Sequence, residues 1–146
     1  MVKVLKTPCI GVCSTGIGDS VCRGCKRFAH EVIGWNNYNS NERELIFARL
    51  NGFLDTVVQA KIEVRDENIL AGFIVRQGIP MTGGESNFAK VFSLLKAGAQ
   101  QLDTLDVVGC EVRAAYRHLT LVELRDEIDK DFYTLSCAHY ERYFPH

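Results

Sequence analysis

Four cysteines fall within seventeen residues, Cys9-x3-Cys13-x8-Cys22-x2-Cys25, and that crowding commits the start of the chain to a loop organised around its sulfurs. A thiolate is the soft, deprotonated donor that zinc and iron–sulfur clusters require, and four of them complete a tetrahedral zinc or the corners of a cluster. No coordination position is then left open. A disulfide framework is the alternative, but a 146-residue chain with 47% apolar residues has enough material for a core without one. Met1 to Ile10 show neither the long apolar run nor the small-residue cleavage site of a secretory leader, and no stretch approaches about 18 apolar residues. The expectation is a cytoplasmic protein with no membrane span.

The two cysteine pairs differ. Cys22-Arg23-Gly24-Cys25 is a two-residue knuckle in which Gly24 permits a tight turn, so that both sulfurs face one metal and backbone N–H groups point at them. Cys9-Ile10-Gly11-Val12-Cys13 is one residue looser, and the eight residues from Ser14 to Val21, with Gly16, Gly18 and Asp19, can fold back to join the pairs. A zinc ion and a four-iron cubane held by four thiolates each carry about −2 formal charge. Lys6, Arg23, Lys26 and Arg27 can offset either. Spacings of two to four residues suit structural zinc. His30, five residues after Cys25, is a substitute ligand that four thiolates make unnecessary.

Charge narrows the partners. Formal net charge is −1, with seven Lys/Arg against four Asp/Glu in residues 1–50 and the excess reversed beyond. A chain without a strongly basic domain is poorly suited to duplex nucleic acid, which needs a clustered electropositive face. Another protein is the expected partner, with nucleic acid as the alternative.

Along the chain, residues 7–40 are rich in Cys, Gly, Asn and Ser and lack apolar periodicity, which suits a module held from inside by a metal rather than by a core. Asn39 with Glu42 predicts a capping box, followed by a helix in which Leu45, Ile46, Arg49, Leu50, Phe53, Leu54, Val57 and Val58 recur at steps of three and four. Ile62 and Val64 alternate like a strand, while Ile69, Leu70, Phe73 and Ile74 fit a buried strand or another helix. Ser86 predicts the cap of a helix whose apolar face holds Phe88, Val91, Phe92, Leu94 and Leu95. Thr120 with Glu123 makes a second capping box before Leu121, Leu124, Ile128, Phe132 and Leu135. The fold class is therefore mainly α, with α+β containing a short hairpin near residues 60–76 as the alternative. The expected organisation is a four-cysteine module with its following helix over residues 7–52, then a helical domain over 53–146.

The run Pro8-Cys9-Ile10-Gly11-Val12-Cys13, then Cys22-Arg23-Gly24-Cys25-Lys26-Arg27, then Glu31, Gly34-Trp35 and Ser40-Asn41-Glu42-Arg43, resembles the small bacterial domain of unknown function numbered 1289. The resemblance covers residues 7–52. Members of that family are commonly labelled iron–sulfur proteins, so it implies an iron–sulfur cluster as readily as zinc, and it implies no catalytic residues. Within the same run, Glu31 is expected to pair with Arg27 one turn earlier and Trp35 to pack over the metal loop. Alternatively Arg23, Lys26, Arg27 and Trp35 form a partner-binding patch of charge and stacking for single-stranded nucleic acid.

Elsewhere the chemistry is thin. Cys110 and Cys137 lack local partners and read as buried thiols. Gly83-Gly84-Glu85-Ser86 has no phosphate-loop lysine. Asp126, Glu127, Asp129 and Asp131 read as a solvated helix face. Three functions follow: a metal protein carrying an iron–sulfur cluster for electron transfer or sensing, a structural zinc module supporting macromolecular interaction, or an enzyme with its site in the C-terminal segment, for which no catalytic residues can be named.

Overall fold

A computed structural model describes Pro8, residues 13–81 and residues 85–144. The order of elements is α1 (Ala29–Gly34), α2 (Ser40–Gln59), β1 (Ile62–Val64), α3 (Glu67–Arg76), α4 (Asn87–Gly98), β2 (Cys110–Val112) and α5 (Leu121–Tyr143), joined in places by single 3-10 turns. The fold is mainly α. Its described residues divide into two compact units, residues 54–129 and residues 13–53 with 130–144. Residues 130–144 cluster with residues 13–53.

In the unit of residues 54–129, β1 pairs antiparallel with β2 in the register Ile62 with Val112, Glu63 with Glu111 and Val64 with Cys110. The alternative of a hairpin near residues 60–76 is thus corrected. Asp66 ends the strand by capping a helix, its Oδ1 accepting from the amides of Asn68 at 3.0 Å and Ile69 at 3.2 Å. Leu70 and Ile74 then face inward from α3. Gly109 sits where β2 begins, with φ +76° and its carbonyl accepting from the amides of Arg65 and Asp66. A Cβ there would lie 2.5 Å from the Asp66 carbonyl oxygen, so glycine is required. Ser86 caps α4 by accepting from the Ala89 amide at 3.1 Å, and Thr120 and Glu123 exchange their two capping bonds at 3.1 and 3.0 Å at the start of α5.

The other unit contains the cysteine loop. Val21 and Phe28 form an antiparallel bridge, and α1 starts where Glu31 Oε1 accepts from the Phe28 amide at 2.8 Å. Asn39 and Glu42 form the expected capping box of α2, at 2.8 and 3.2 Å. The inward stripe of α2 begins at Ile46; Leu45 is 72% exposed, against the sequence expectation. A second correction concerns the core. Val21, Phe28, Trp35 and Leu50 are all buried, and each such apolar side chain contributes about 1.5–3 kcal/mol. The loop is consequently not held by a metal alone. The end of α5 adds rings to this core: Phe28 lies 6.0 Å from His139, 5.2 Å from Tyr140 and 5.6 Å from Phe144, centroid to centroid.

Candidate metal centre

The Cys22–Cys25 knuckle is closed by its own backbone. The Cys22 amide donates to the Arg27 carbonyl at 2.8 Å and the Lys26 amide donates to the Cys22 carbonyl at 2.9 Å. Lys26 adopts φ +67°, the only left-handed backbone outside glycine among the described residues. That conformation costs a non-glycine residue about 1–2 kcal/mol. Lys26 offsets part of it with its side chain: the buried Nζ donates to the carbonyls of Arg23 at 2.6 Å and Gly24 at 3.0 Å and lies over the Phe132 ring.

This turn aims amides at sulfur. Burial alone would push the Cys22 thiol up, but the N–H groups of Cys25, Ser14 and Gly24 and the Cys25 thiol all donate to it, carrying it from 9.0 down to about 7. The Ser14 amide matters for a further reason, because it folds the residue next to Cys13 back onto the knuckle. Ser14 Oγ also accepts from the Arg23 amide at 2.8 Å, and Asp19, itself bonded to Ser14, holds Arg23 Nε at 3.1 Å. A short network therefore ties the Ser14–Asp19 turn to the knuckle.

Cys13 is exposed, with its sulfur 3.1 Å from Thr15 Oγ1. Cys9 and Lys6 lie outside the described residues. Cys13, Cys22, Cys25, Cys110 and Cys137 are free thiols. Among the described residues no three His, Cys, Asp or Glu side chains form a metal set; the structure brings Cys22 and Cys25 together and draws the neighbour of Cys13 to them. The surroundings of Cys22 fit a thiolate-bound metal, because backbone amides donate to its sulfur in the manner of the outer-shell partners that orient metal ligands.

Cys25 is buried, and burial raises its thiol above the usual value while Arg27 opposes the rise. Arg27 Nε donates to Cys25 Sγ at 3.2 Å, and its guanidinium carbon lies 4.8 Å from the centre of the Trp35 ring. The expected pairing of Arg27 with Glu31 does not occur. Glu31 is held instead by Arg49, with Nη1 to Oε2 and Nη2 to Oε1 both at 2.6 Å. Lys26, Arg27 and Trp35 are buried, so of the four residues considered for a partner-binding patch only Arg23 faces solvent. His30 is exposed, its ring against Phe28 and Phe144.

The comparisons with known proteins bear on this same segment. The family described as "Protein of unknown function (DUF1289)" matches residues 7–53. That match covers less than half of the chain and is a similarity of this segment alone. No curated protein and no solved structure matches the chain. The matched segment contains the four clustered cysteines, Arg27, Trp35 and Arg49, and ends inside α2.

Outside the matched segment, a cleft of about 870 Å³ in the unit of residues 54–129 is lined by Asp55, Asp66, Glu67, Ser86 and Arg113, among others. All five are engaged in holding the fold. Asp55 accepts from Ser86, Asp66 caps α3, Glu67 accepts from Asn87, and Arg113 donates to the Gln59 carbonyl. Gly83 and Gly84 lie outside the described residues. Cys110 is buried, and burial pushes its thiol up to about 11, which makes it inert at neutral pH. No helix among the described residues is long and apolar enough to cross a membrane.

Proposed function

We propose that residues 7–53 bind an iron–sulfur cluster for electron transfer or sensing, with Cys9, Cys13, Cys22 and Cys25 as ligands. The observation that carries this reading is the Cys22 sulfur under the amides of Ser14, Gly24 and Cys25. Hydrogen bonds to ligand sulfurs are among the levers by which a protein sets a cluster's potential. The cluster, when bound, supplies a one-electron centre. The chain's own residues would hold two sulfurs at a fixed separation, direct N–H dipoles at them and exclude water through Phe28 and Trp35.

A structural zinc is the second reading, favoured by the two-residue knuckle closed through the Cys22 and Lys26 amides, the spacing from which structural zinc sites draw a pair of sulfurs. Either form would work in the cytoplasm with a protein partner. Ile17, Ile33 and Leu45 stand exposed in the same unit, the kind of apolar surface that protein contacts cover.

Anaerobic purification, an absorption spectrum, and elemental analysis for zinc, iron and sulfide test both. Iron with sulfide and visible absorption supports the first reading; colourless protein with one zinc per chain supports the second. Cys22→Ser and Cys25→Ser are expected to lose the metal, and unchanged metal content in both variants would overturn the site.

A further inference from the structure

Arg27 is 4% exposed, yet among the described residues it makes no ion pair with a carboxylate. Burying an unpaired charge is costly, and such groups persist where an opposite charge meets them. Among the described residues, the group that meets the Arg27 guanidinium and can carry negative charge is the Cys25 sulfur, 3.2 Å from Nε. Trp35 presents its ring face to the same guanidinium, and Arg43 fixes Trp35 in turn by donating to its carbonyl from Nε at 3.1 Å and Nη2 at 3.0 Å. Arg27 is thus held in place against Trp35 and aimed at one of the four proposed ligand sulfurs.

We propose that Arg27 is the counter-ion and positioning residue of the metal centre: it donates to Cys25 as a thiolate and so slows loss of the metal. The inference rests on the metal-binding reading above. A cation that donates to a ligand sulfur offsets part of the charge of a four-thiolate group, about −2 for either metal, and keeps that sulfur turned inward. Lysine is charged but lacks the rigid fork, so it reproduces the charge without the full directionality.

The test uses the full chain loaded with the metal that it retains, and compares wild type, Arg27→Met and Arg27→Lys. The first measurement is the rate of metal release to a chromogenic chelator. Arg27→Met is expected to release metal about 10–100-fold faster, the usual effect of removing a group that supports a ligand, and Arg27→Lys to recover most of the loss. The second is the sulfur-to-cobalt charge-transfer band of cobalt-substituted protein, which should move to longer wavelength in Arg27→Met, since a thiolate without its donor gives up an electron more easily. Packing alone would not move that band. Should Arg27→Met fail to fold, Arg27→Gln, which removes the charge and keeps a neutral donor, is compared by release rate alone and is expected to fall between wild type and complete loss of the group. Wild-type release rates in the neutral variants, or an Arg27→Lys protein as leaky as Arg27→Met, would overturn the role of Arg27 while leaving the metal site standing. A wild-type chain that takes up neither cobalt, zinc nor iron would end both.

Discussion

Arg49 grips Glu31 with two parallel hydrogen bonds across eighteen residues of sequence, and the same carboxylate accepts the amide that opens α1. The guanidinium also lies 4.0 Å from the centre of the Phe28 ring. One forked pair thereby joins α1, α2 and the strand-like residue next to the cysteine loop. Removing one member strands a charge that is mostly out of water. Glu31→Ala is expected to destabilise the protein by about 3 kcal/mol, at the low end for a broken buried pair because Arg49 keeps some solvent contact. Urea denaturation monitored by Trp35 fluorescence checks this, and a change below about 1 kcal/mol, the range of a surface pair, would contradict it.

His139 should make stability depend on pH. Burial lowers its pKa, the charges of Arg49 and Arg142 lower it further, and Glu31 opposes them. Its ring sits among Phe28, Phe53 and Tyr143. The neutral imidazole is the folded form, so the unfolded chain binds a proton first as pH falls. Stability is therefore expected to be flat above the ordinary histidine value of about 6.5 and to decline below it, levelling off once the folded protein also titrates. Thermal midpoints from pH 8 to 5 for wild type and His139→Phe give the measurement; equal slopes in the two proteins would remove His139 as the cause.

Gly109→Ala puts a methyl group against the Asp66 carbonyl oxygen at a left-handed position. A loss of about 1–3 kcal/mol is expected. Gly98 is the control, since a Cβ there meets nothing within 4 Å and its φ is −152°. Gly98→Ala should be close to neutral by the same denaturant titration.

Lys26 offers a test of the knuckle itself. Its left-handed backbone favours glycine, while its Nζ bonds to Arg23 and Gly24 favour lysine. Lys26→Ala gives up the bonds and keeps the strain, whereas Lys26→Gly gives up both. The glycine variant should be the more stable of the two by about 1 kcal/mol, measured as the difference in unfolding midpoint converted through a common slope.

Local signals in the sequence carry furthest. Asn39 with Glu42, Ser86, and Thr120 with Glu123 each cap a helix through bonds that span only three residues, so spacing alone locates them. The strand at Ile62 is visible too, but its partner is not: β2 has only three residues and lies far along the chain. The partner of Glu31 escapes the sequence because i,i+4 spacing from Arg27 looks sufficient until Arg27 is seen to face Cys25 and Trp35. A clue is present all the same. Arg49 interrupts the apolar stripe of α2, and an arginine in that place needs a buried carboxylate. The grouping of residues 130–144 with the cysteine loop has no such marker, since Phe132 and Leu135 continue the helical period of Leu124 and Ile128 without a break.

The Ser14 amide that reaches the Cys22 sulfur has a kinetic consequence. A peptide that must collapse around its metal loses chain entropy at the moment of loading, about 1–2 kcal/mol for each backbone residue fixed. Residues 14–27 are already fastened by hydrogen bonds, so most of that entropy is surrendered during folding. Within that segment, uptake should then bring little gain in far-ultraviolet dichroism.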